Sequence, residues 1–324
     1  MYPASSIYRF GSDFIMKAGK IVQPLLCCWL LSMVSLQSWA ASILVPTDHS
    51  TISAAIDAAS SGDSIVVSNG DYSAFTVPVE LSNLHIEAAT DASPQLAGSG
   101  GANRVVDIRG NGTVLQGFTI AAPDDHVAIS ISGQHVTVQN NTIVSGLTGI
   151  QTTTANTDGH ALVQNNSISG VGYGLSIQND NNSFTGNTVQ SDTEGLGLIG
   201  SNTLNSITDN DFDVSDGAAI KLYLAFDVGL DNLLAANNFA RLIVIRDDAD
   251  TIVTDSLYTS LQDAIDAASA GHTLELHDGS YQRASIDKSL NLVAIEAATA
   301  SINGVGVNQG WALRIAAGVS DVSI

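Results

Sequence analysis

Asn140-Asn141-Thr142-Ile143 is one of five related four-residue phrases in the middle of the chain, the others being Gly117-Phe118-Thr119-Ile120, Asn165-Asn166-Ser167-Ile168, Gly186-Asn187-Thr188-Val189 and Asp209-Asn210-Asp211-Phe212. Their apolar last residues follow one another at steps of 23, 25, 21 and 23 residues, and Asn237-Asn238-Phe239 adds a step of 27. A coiled coil needs a fixed period, whereas a solenoid accepts loops of different length between strands that stay in register. The series therefore predicts a stack of coils.

A second series of short alternating segments runs between these phrases: Val127-x-Ile129-x-Ile131, Ile150-x-Thr152, Leu175-x-Ile177, Leu196-x-Leu198 and Ile220-x-Leu222. Alternation of apolar and polar residues is typical of β-strands with one buried face. Strands this short cannot bury that face alone, but stacked coils share one apolar interior and pair in parallel about 4.8 Å apart. The sequence predicts an all-β protein with the fold of a parallel β-helix.

The asparagine before each apolar position is expected to join an internal ladder of side-chain amides, formed by Asn141, Asn166, Asn187, Asn210 and Asn237. In such a ladder each amide hydrogen-bonds the next one and the bent backbone. Several neighbouring asparagines also match the Asn-x-Ser/Thr glycosylation pattern. Their fixed place in the repeat favours the ladder.

The charge of the chain limits its partners. Asp and Glu total 32 against 11 Lys and Arg, a net charge of −21. Nucleic acid and anionic membrane surfaces are therefore excluded as partners by repulsion. A solvated acidic surface explains this charge best, with binding of divalent cations as the alternative.

The first 40 residues resemble an export signal preceded by an extension, residues 1–15. Residues 16–40 contain Lys17 and Lys20, an apolar run and then Ser38-Trp39-Ala40, which predicts cleavage after Ala40. Cys27 and Cys28 both lie in this segment, so the exported chain has no cysteine and no disulfide. No later apolar run is long enough to cross a membrane. A secreted, periplasmic or cell-surface protein is expected.

Residues 50–62 predict a short amphipathic helix that caps the first coil, because Ile52, Ala55, Ile56 and Ala59 share one helical face. The pattern returns 209 residues later, and the match extends without a gap to residues 295–299, which repeat residues 86–90. The sequence thus predicts two modules, 41–250 and 251–324, joined by an acidic linker. The second holds only a cap and a first coil, so we expect the chain to be a fragment or one end of a longer array.

The cap followed by Asn-Asn-x-Ile coils resembles the right-handed parallel β-helix superfamily, which includes pectate lyases, pectin methylesterases, polygalacturonases and NosD-like periplasmic proteins. The resemblance covers nearly all of the exported chain and implies the fold. It does not imply an activity, since function depends on the site. The signature motifs of the methylesterases and polygalacturonases are absent from matching places in the sequence.

One outward strip of the predicted coils is a candidate substrate-binding surface. Alternation places six polar or aromatic side chains outward on successive coils: Gln151, Thr153, Ser176, Gln178, Lys221 and Tyr223. Amides and hydroxyls can hydrogen-bond a sugar chain and a tyrosine can stack on it. We expect these residues to line up across four coils and to bind a polysaccharide or cell-surface glycan. A solvated sheet face is the simpler interpretation of the same alternation.

Catalysis and metal binding have weaker support in the sequence. Lys221 is the candidate base of a polysaccharide lyase, an enzyme that often also uses calcium. Asp247, Asp248 and Asp250 are candidate cation ligands, but they lack the spacing of an EF-hand loop. The seven histidines show no metal-ligand spacing, and His135 stands isolated. The sequence requires no cofactor, with calcium as the candidate.

Three functions remain open on this basis. The first is non-catalytic binding of a polysaccharide or a structural role at the surface, the second is a lyase acting on uronate polymers, and the third is a NosD-like periplasmic accessory role. Duplication of the cap favours the first, because tandem modules gain avidity.

Overall fold

The computed structural model describes residues 40–98, 103–155, 158–200, 204–223, 229–295, 298–303 and 311–324. Residues 40–324 form one compact unit. The predicted extension 1–15, nearly all of the predicted export signal and both cysteines lie outside the described residues. Among the helices that are described, none is long and apolar enough to cross a membrane.

Short strands make up nearly all of the regular structure. The N-terminal part contains β1 (Ser42–Val45), α1 (Ile52–Ala58), β2 (Ser64–Val67), β3 (Asp71–Ser73), β4 (Phe75–Val77), β5 (His85–Ala88), β6 (Gln95–Ala97), β7 (Arg104–Ile108), β8 (Val114–Gln116) and β9 (Thr119–Ala121). The middle part contains β10 (Val127–Ile131), β11 (Thr137–Gln139), β12 (Thr142–Thr152), β13 (Leu162–Gln164), β14 (Ser167–Ile177), β15 (Ser183–Thr185), β16 (Thr188–Ile199), β17 (Ser206–Thr208), β18 (Asp211–Val214) and β19 (Ala218–Tyr223). The C-terminal part contains α2 (Leu230–Ala235), β20 (Asn238–Phe239), β21 (Ile243–Arg246), β22 (Ser256–Tyr258), α3 (Leu261–Ala267), β23 (Thr273–Leu276), β24 (Gly279–Gln282), β25 (Ala284–Ile286), β26 (Asn291–Ala294), β27 (Ala300–Asn303) and β28 (Leu313–Ile315).

Parallel pairing between successive coils builds the fold. One sheet has the order β1-β2-β5-β8-β11-β13-β15-β17, and a larger sheet contains β7, β10, β12, β14, β16 and β19 as consecutive neighbours. The repeated phrases lie in register, since Ile143 pairs with both Ile120 and Ile168. The predicted parallel β-helix is confirmed. Its interior is one continuous apolar cluster that extends from Val45 to Leu257.

The predicted asparagine ladder is present inside the stack. The Nδ2 atom of each member donates to the Oδ1 atom of the next at 2.8–3.1 Å, through Asn141, Asn166, Asn187, Asn210 and Asn237. Each Oδ1 also accepts from the backbone N–H of the preceding member at 3.0 Å. These bonds satisfy polar groups that the coil corners would otherwise bury without a partner.

Helix α1 covers the first coil as expected. Thr51 caps it, with its hydroxyl accepting a hydrogen bond from the Ala54 N–H at 3.1 Å. Ile52, Ala55 and Ile56 are buried, so the helix removes from water the apolar cross-section of the first coil.

The same local structure recurs around α3, where the Ser260 hydroxyl accepts from the Asp263 N–H at 3.3 Å. Beyond β25 the predicted gapless match is wrong. Leu290 and Leu292, and not Ile295, take the buried positions that correspond to Leu84 and Ile86. The cause is the turn after β25, which is three residues shorter than the turn after β4.

The expected acidic linker is also wrong, because the chain forms a hairpin between β21 and β22. Strand β21 pairs with β23 in antiparallel orientation. It takes the position equivalent to that of β1, which pairs with β2 in the first coil. Its side chains alternate between two cores. Val244 belongs to the long interior cluster, whereas Ile243 and Ile245 belong to a second cluster with α3. Strand β21 is therefore a wall shared by both cores.

Candidate functional site

The outward face of the larger sheet carries polar side chains in rows, because adjacent coils keep the same register. A central row is formed by Asp107, Ser130, Gln151, Ser176, Gly197 and Lys221. A side row, displaced by two residues along each strand, contains Thr153, Gln178 and Tyr223. We call these two rows together with Glu194 the polar face.

All six sequence-predicted binding residues lie on these two rows. Gln151, Ser176 and Lys221 belong to the central row, and Thr153, Gln178 and Tyr223 belong to the side row. From β12 to β19 the rows cross three strand spacings, about 14 Å. Tyr223 is 40% exposed, so part of its side chain is accessible to a partner. The register thus produces the line of residues that alternation predicted.

Lys221 is engaged by the strand next to it. Its Nζ atom donates to Ser256 Oγ at 2.6 Å and lies 2.9 Å from Asp255 Oδ1. The hydrogen bond from Lys221 lowers the pKa of Asp255 below its ordinary value. The lysine side chain is 27% exposed. A substrate proton could reach Nζ only after these contacts open, which disfavours Lys221 as a catalytic base.

Glu194 is a polar-face residue that is not among the six residues predicted from alternation. It is 5% exposed, and its Oε2 atom accepts a hydrogen bond from the Tyr223 hydroxyl at 2.8 Å. Burial raises the pKa of Glu194, and burial together with this hydrogen bond raises the pKa of Tyr223. The carboxylate lies over Gly197, where a Cβ atom would be 2.0 Å from Oε1. A larger residue at 197 would displace Glu194.

A signal for Glu194 does exist in the sequence. The glycines Gly149, Gly174 and Gly195 open the second series, and the residues just before them are Thr148, Tyr173 and Glu194. These three residues pair across β12, β14 and β16. Glu194 is the acidic member of that row.

The other end of the central row holds a buried carboxylate between two cations. Asp107 is 3% exposed, and its Oδ2 atom lies 2.7 Å from Arg109 Nη2 and 3.4 Å from Arg104 Nη1. No repeated pattern in the sequence identifies these residues. Two guanidinium groups around one carboxylate leave a local positive charge, on a protein that is otherwise strongly acidic.

The candidate cation ligands of the acidic segment serve the hairpin turn. Asp247 Oδ1 accepts from the backbone N–H groups of Ala249 and Thr251, both at 2.9 Å. Asp250 Oδ1 lies 3.6 Å from Arg246 Nε. Over the described residues, no group of three or more His, Cys, Asp and Glu side chains is arranged to hold a metal ion.

His135 and His160 lie side by side in the structure, although their positions in the sequence match no metal-ligand spacing. The prediction that His135 is isolated is therefore wrong. The ring centroids of His135 and His160 are 4.9 Å apart, with 33° between the ring planes. Their separation of 25 residues equals the step between Ile143 and Ile168 in the repeated phrases. Placing the histidines on the coil period would have found the pair.

Comparison with known proteins adds a family to this geometry. The family model described as periplasmic copper-binding protein (NosD) matches residues 56–241. No curated protein matches the chain. Among solved structures, the chain is similar to the Escherichia coli protein YbhC, with 12% identity and a TM-score of 0.46 over 80% of this chain and 74% of that one.

Proposed function

Because this chain belongs to the NosD family of periplasmic copper-binding proteins, we propose that it acts in the periplasm. We further propose, from the geometry of the polar face, that it is a non-catalytic protein that binds a polysaccharide there. The observation that carries the proposal is the unbroken register of the two rows. Amides and hydroxyls lie on β12 and β14, the Glu194 carboxylate lies over Gly197 on β16, and Lys221 and Tyr223 follow on β19, at strand spacings of about 4.8 Å. Three such steps span about three sugar units, and the exposed Tyr223 ring provides a stacking platform at one end.

The contacts of the face favour binding over lyase chemistry. A lyase needs a free base beside the sugar, but Lys221 is held by Asp255 and Ser256. The carboxylate of Glu194, which is buried close by, is hydrogen-bonded by Tyr223. These side chains satisfy one another and form a rigid surface, which suits a binding platform.

The test uses polygalacturonate, alginate and a neutral glucan as probes, with and without calcium. We expect weak binding, which salt or calcium improves for the two acidic polymers by reducing repulsion from the acidic protein. Loss of stacking in Tyr223→Ala should lower the affinity about fivefold, for about 1 kcal/mol. Gln190→Ala is the matched control, since Gln190 is exposed on β16 away from the polar face.

The variant Lys221→Ala separates the two classes of function. If the protein is a lyase that uses Lys221 as its base, the variant should form unsaturated product about 100-fold or more slowly, as measured by ultraviolet absorbance. A binding protein should form no such product and should lose only modest affinity. Unchanged binding in the Lys221→Ala, Tyr223→Ala double variant would remove the polar face as the site.

Copper is the second candidate ligand, because the family description names it and two histidines meet on adjacent coils. Imidazole nitrogen is a preferred ligand of copper. A copper-binding role of this kind belongs to the NosD-like accessory function, and it does not compete with glycan binding on another surface.

A further inference from the structure

The histidine pair occupies equivalent turn positions of neighbouring coils. Strands β11 and β13 pair in parallel with Thr137 opposite Leu162, so the residues two places earlier, His135 and His160, face each other across the coil spacing. The His135 N–H donates to the Gly159 carbonyl at 3.3 Å, and the His160 N–H donates to the Asn181 carbonyl at 2.8 Å. Both side chains are exposed. The backbone is thus fixed while the rings remain able to turn.

The backbone of this turn does not itself require histidine. Both residues have positive φ, 55° for His135 and 62° for His160. The same position of other coils holds Asn83, Gly112 and Asn181, also at positive φ. Asparagine and glycine adopt this conformation most readily. Two successive coils therefore have histidine at a position where other coils have asparagine or glycine.

The separation of the two rings fits a shared metal ion. A metal–nitrogen bond of about 2.0 Å places an ion about 3 Å from the centre of each imidazole ring. When the nitrogen–metal–nitrogen angle lies between the square-planar and the tetrahedral value, the centres of the two bound rings are about 4.5–5 Å apart. The observed distance is 4.9 Å. Rotation of the exposed side chains can aim one nitrogen of each ring at the ion without moving the backbone.

We propose that His135 and His160 together bind one Cu²⁺ ion. This inference rests on the copper-binding candidate of the proposed function and assigns it a place. Among common divalent ions, Cu²⁺ binds nitrogen ligands most tightly, and water can complete its coordination. Asp158, exposed beside the pair, and the net charge of −21 attract a cation to this surface.

The test is a Cu²⁺ titration of the chain purified without a histidine tag, monitored by calorimetry and by electron paramagnetic resonance. One equivalent of Cu²⁺ should bind, and its resonance spectrum should show hyperfine splitting from two nitrogen atoms. His135→Asn and His160→Asn should each weaken binding by about 100-fold, because each removes one of two protein ligands. Asparagine occupies this turn in other coils, so both variants should keep the fold and the melting temperature.

The exposed His85 provides the matched control, since it lies on β5 of the same sheet but outside the pair. His85→Asn should leave the Cu²⁺ affinity unchanged. If the wild-type chain binds no Cu²⁺, both the copper-binding candidate and this site are wrong. If it binds Cu²⁺ and the two pair variants bind equally well, copper binding stands and this site is wrong.

Discussion

Asn166 illustrates how single residues hold the coil stack together. Its Oδ1 atom accepts from the N–H and the Nδ2 of Asn141, and its Nδ2 atom donates to Asn187 and to two backbone carbonyls. The residue is almost fully buried. Water cannot replace these bonds, so a gap in the ladder leaves polar groups without partners.

We expect Asn166→Ala to lower the free energy of unfolding by about 1–3 kcal/mol, the cost of leaving a buried backbone N–H unpaired. Denaturant melts would measure this loss. Asn238→Ala is the control, because Asn238 is exposed and its side-chain amide donates to the exposed Asp211 carboxylate, outside the ladder. Its change should stay within about 0.5 kcal/mol. Equal losses in the two variants would contradict a stabilising ladder.

Glu194 makes a pH-dependent contribution to stability. Burial raises its folded pKa above the unfolded value, so the stabilising contribution is complete below the ordinary glutamate pKa and is lost as the pH rises through the folded pKa. Glu194→Gln removes this titration. The melting temperature of the variant minus that of the wild type should therefore increase from pH 4 to pH 7.

Thermal melts at several pH values would test this expectation, with Glu80→Gln as a control at a glutamate outside the polar face. A constant difference between Glu194→Gln and the wild type would show that Glu194 has the same pKa in both states.

The sequence revealed some of these residues and concealed others for a physical reason. The ladder asparagines repeat beside an apolar residue, so a local pattern identifies them. Glu194 occurs once, and its partner Tyr223 is 29 residues away and recognisable only after the register is known. Asp107 and Arg109 are two residues apart, but they do not recur in other coils, so no repeated pattern identifies them. His135 and His160 share the coil period, but the different loop lengths obscure it.

At the scale of elements, the two capping helices followed from the sequence because capping residues and apolar periodicity are local signals. Strand β21 did not, since its pairing with β23 depends on a distant segment. The shorter turn after β25 also escaped prediction, because residues 295–299 repeat residues 86–90 identically without a gap, although Leu292 takes the structural place of Ile86. Local chemistry predicts the elements, and turn lengths decide how they meet.

Thr51→Ala should destabilise the protein by about 1 kcal/mol, because the Ala54 N–H loses the hydroxyl that caps α1. Hydrogen exchange should then increase first in α1 and β1. Ser53→Ala is the matched control, since Ser53 is exposed within the same helix and alanine favours helix. Faster exchange across the whole coil stack, with none specific to the first coil, would contradict the assignment of Thr51 as a local cap.

At the scale of the whole molecule, the two predicted modules share structure across residue 250. Strand β21 lies before this boundary, but Ile243 and Ile245 complete the core around α3. Strand β22 lies after it, but Leu257 belongs to the long interior cluster and pairs with β19. The boundary between modules 41–250 and 251–324 stays a prediction, and the exchange of strands makes the two halves interdependent.

This exchange predicts how fragments of the chain behave. Residues 41–250 should melt cooperatively but at a lower temperature than residues 41–324, because Leu257 is lost and β21 has no partner strand. Residues 251–324 should be protease-sensitive, since their core lacks Ile243 and Ile245. A fragment starting at residue 241 regains β21 together with the two hydrogen bonds between Leu242 and the Tyr281 hydroxyl, so it should resist protease better. Limited proteolysis with mass spectrometry compares the three pieces, and equal resistance of 251–324 and 241–324 would show that β21 is dispensable to the second core.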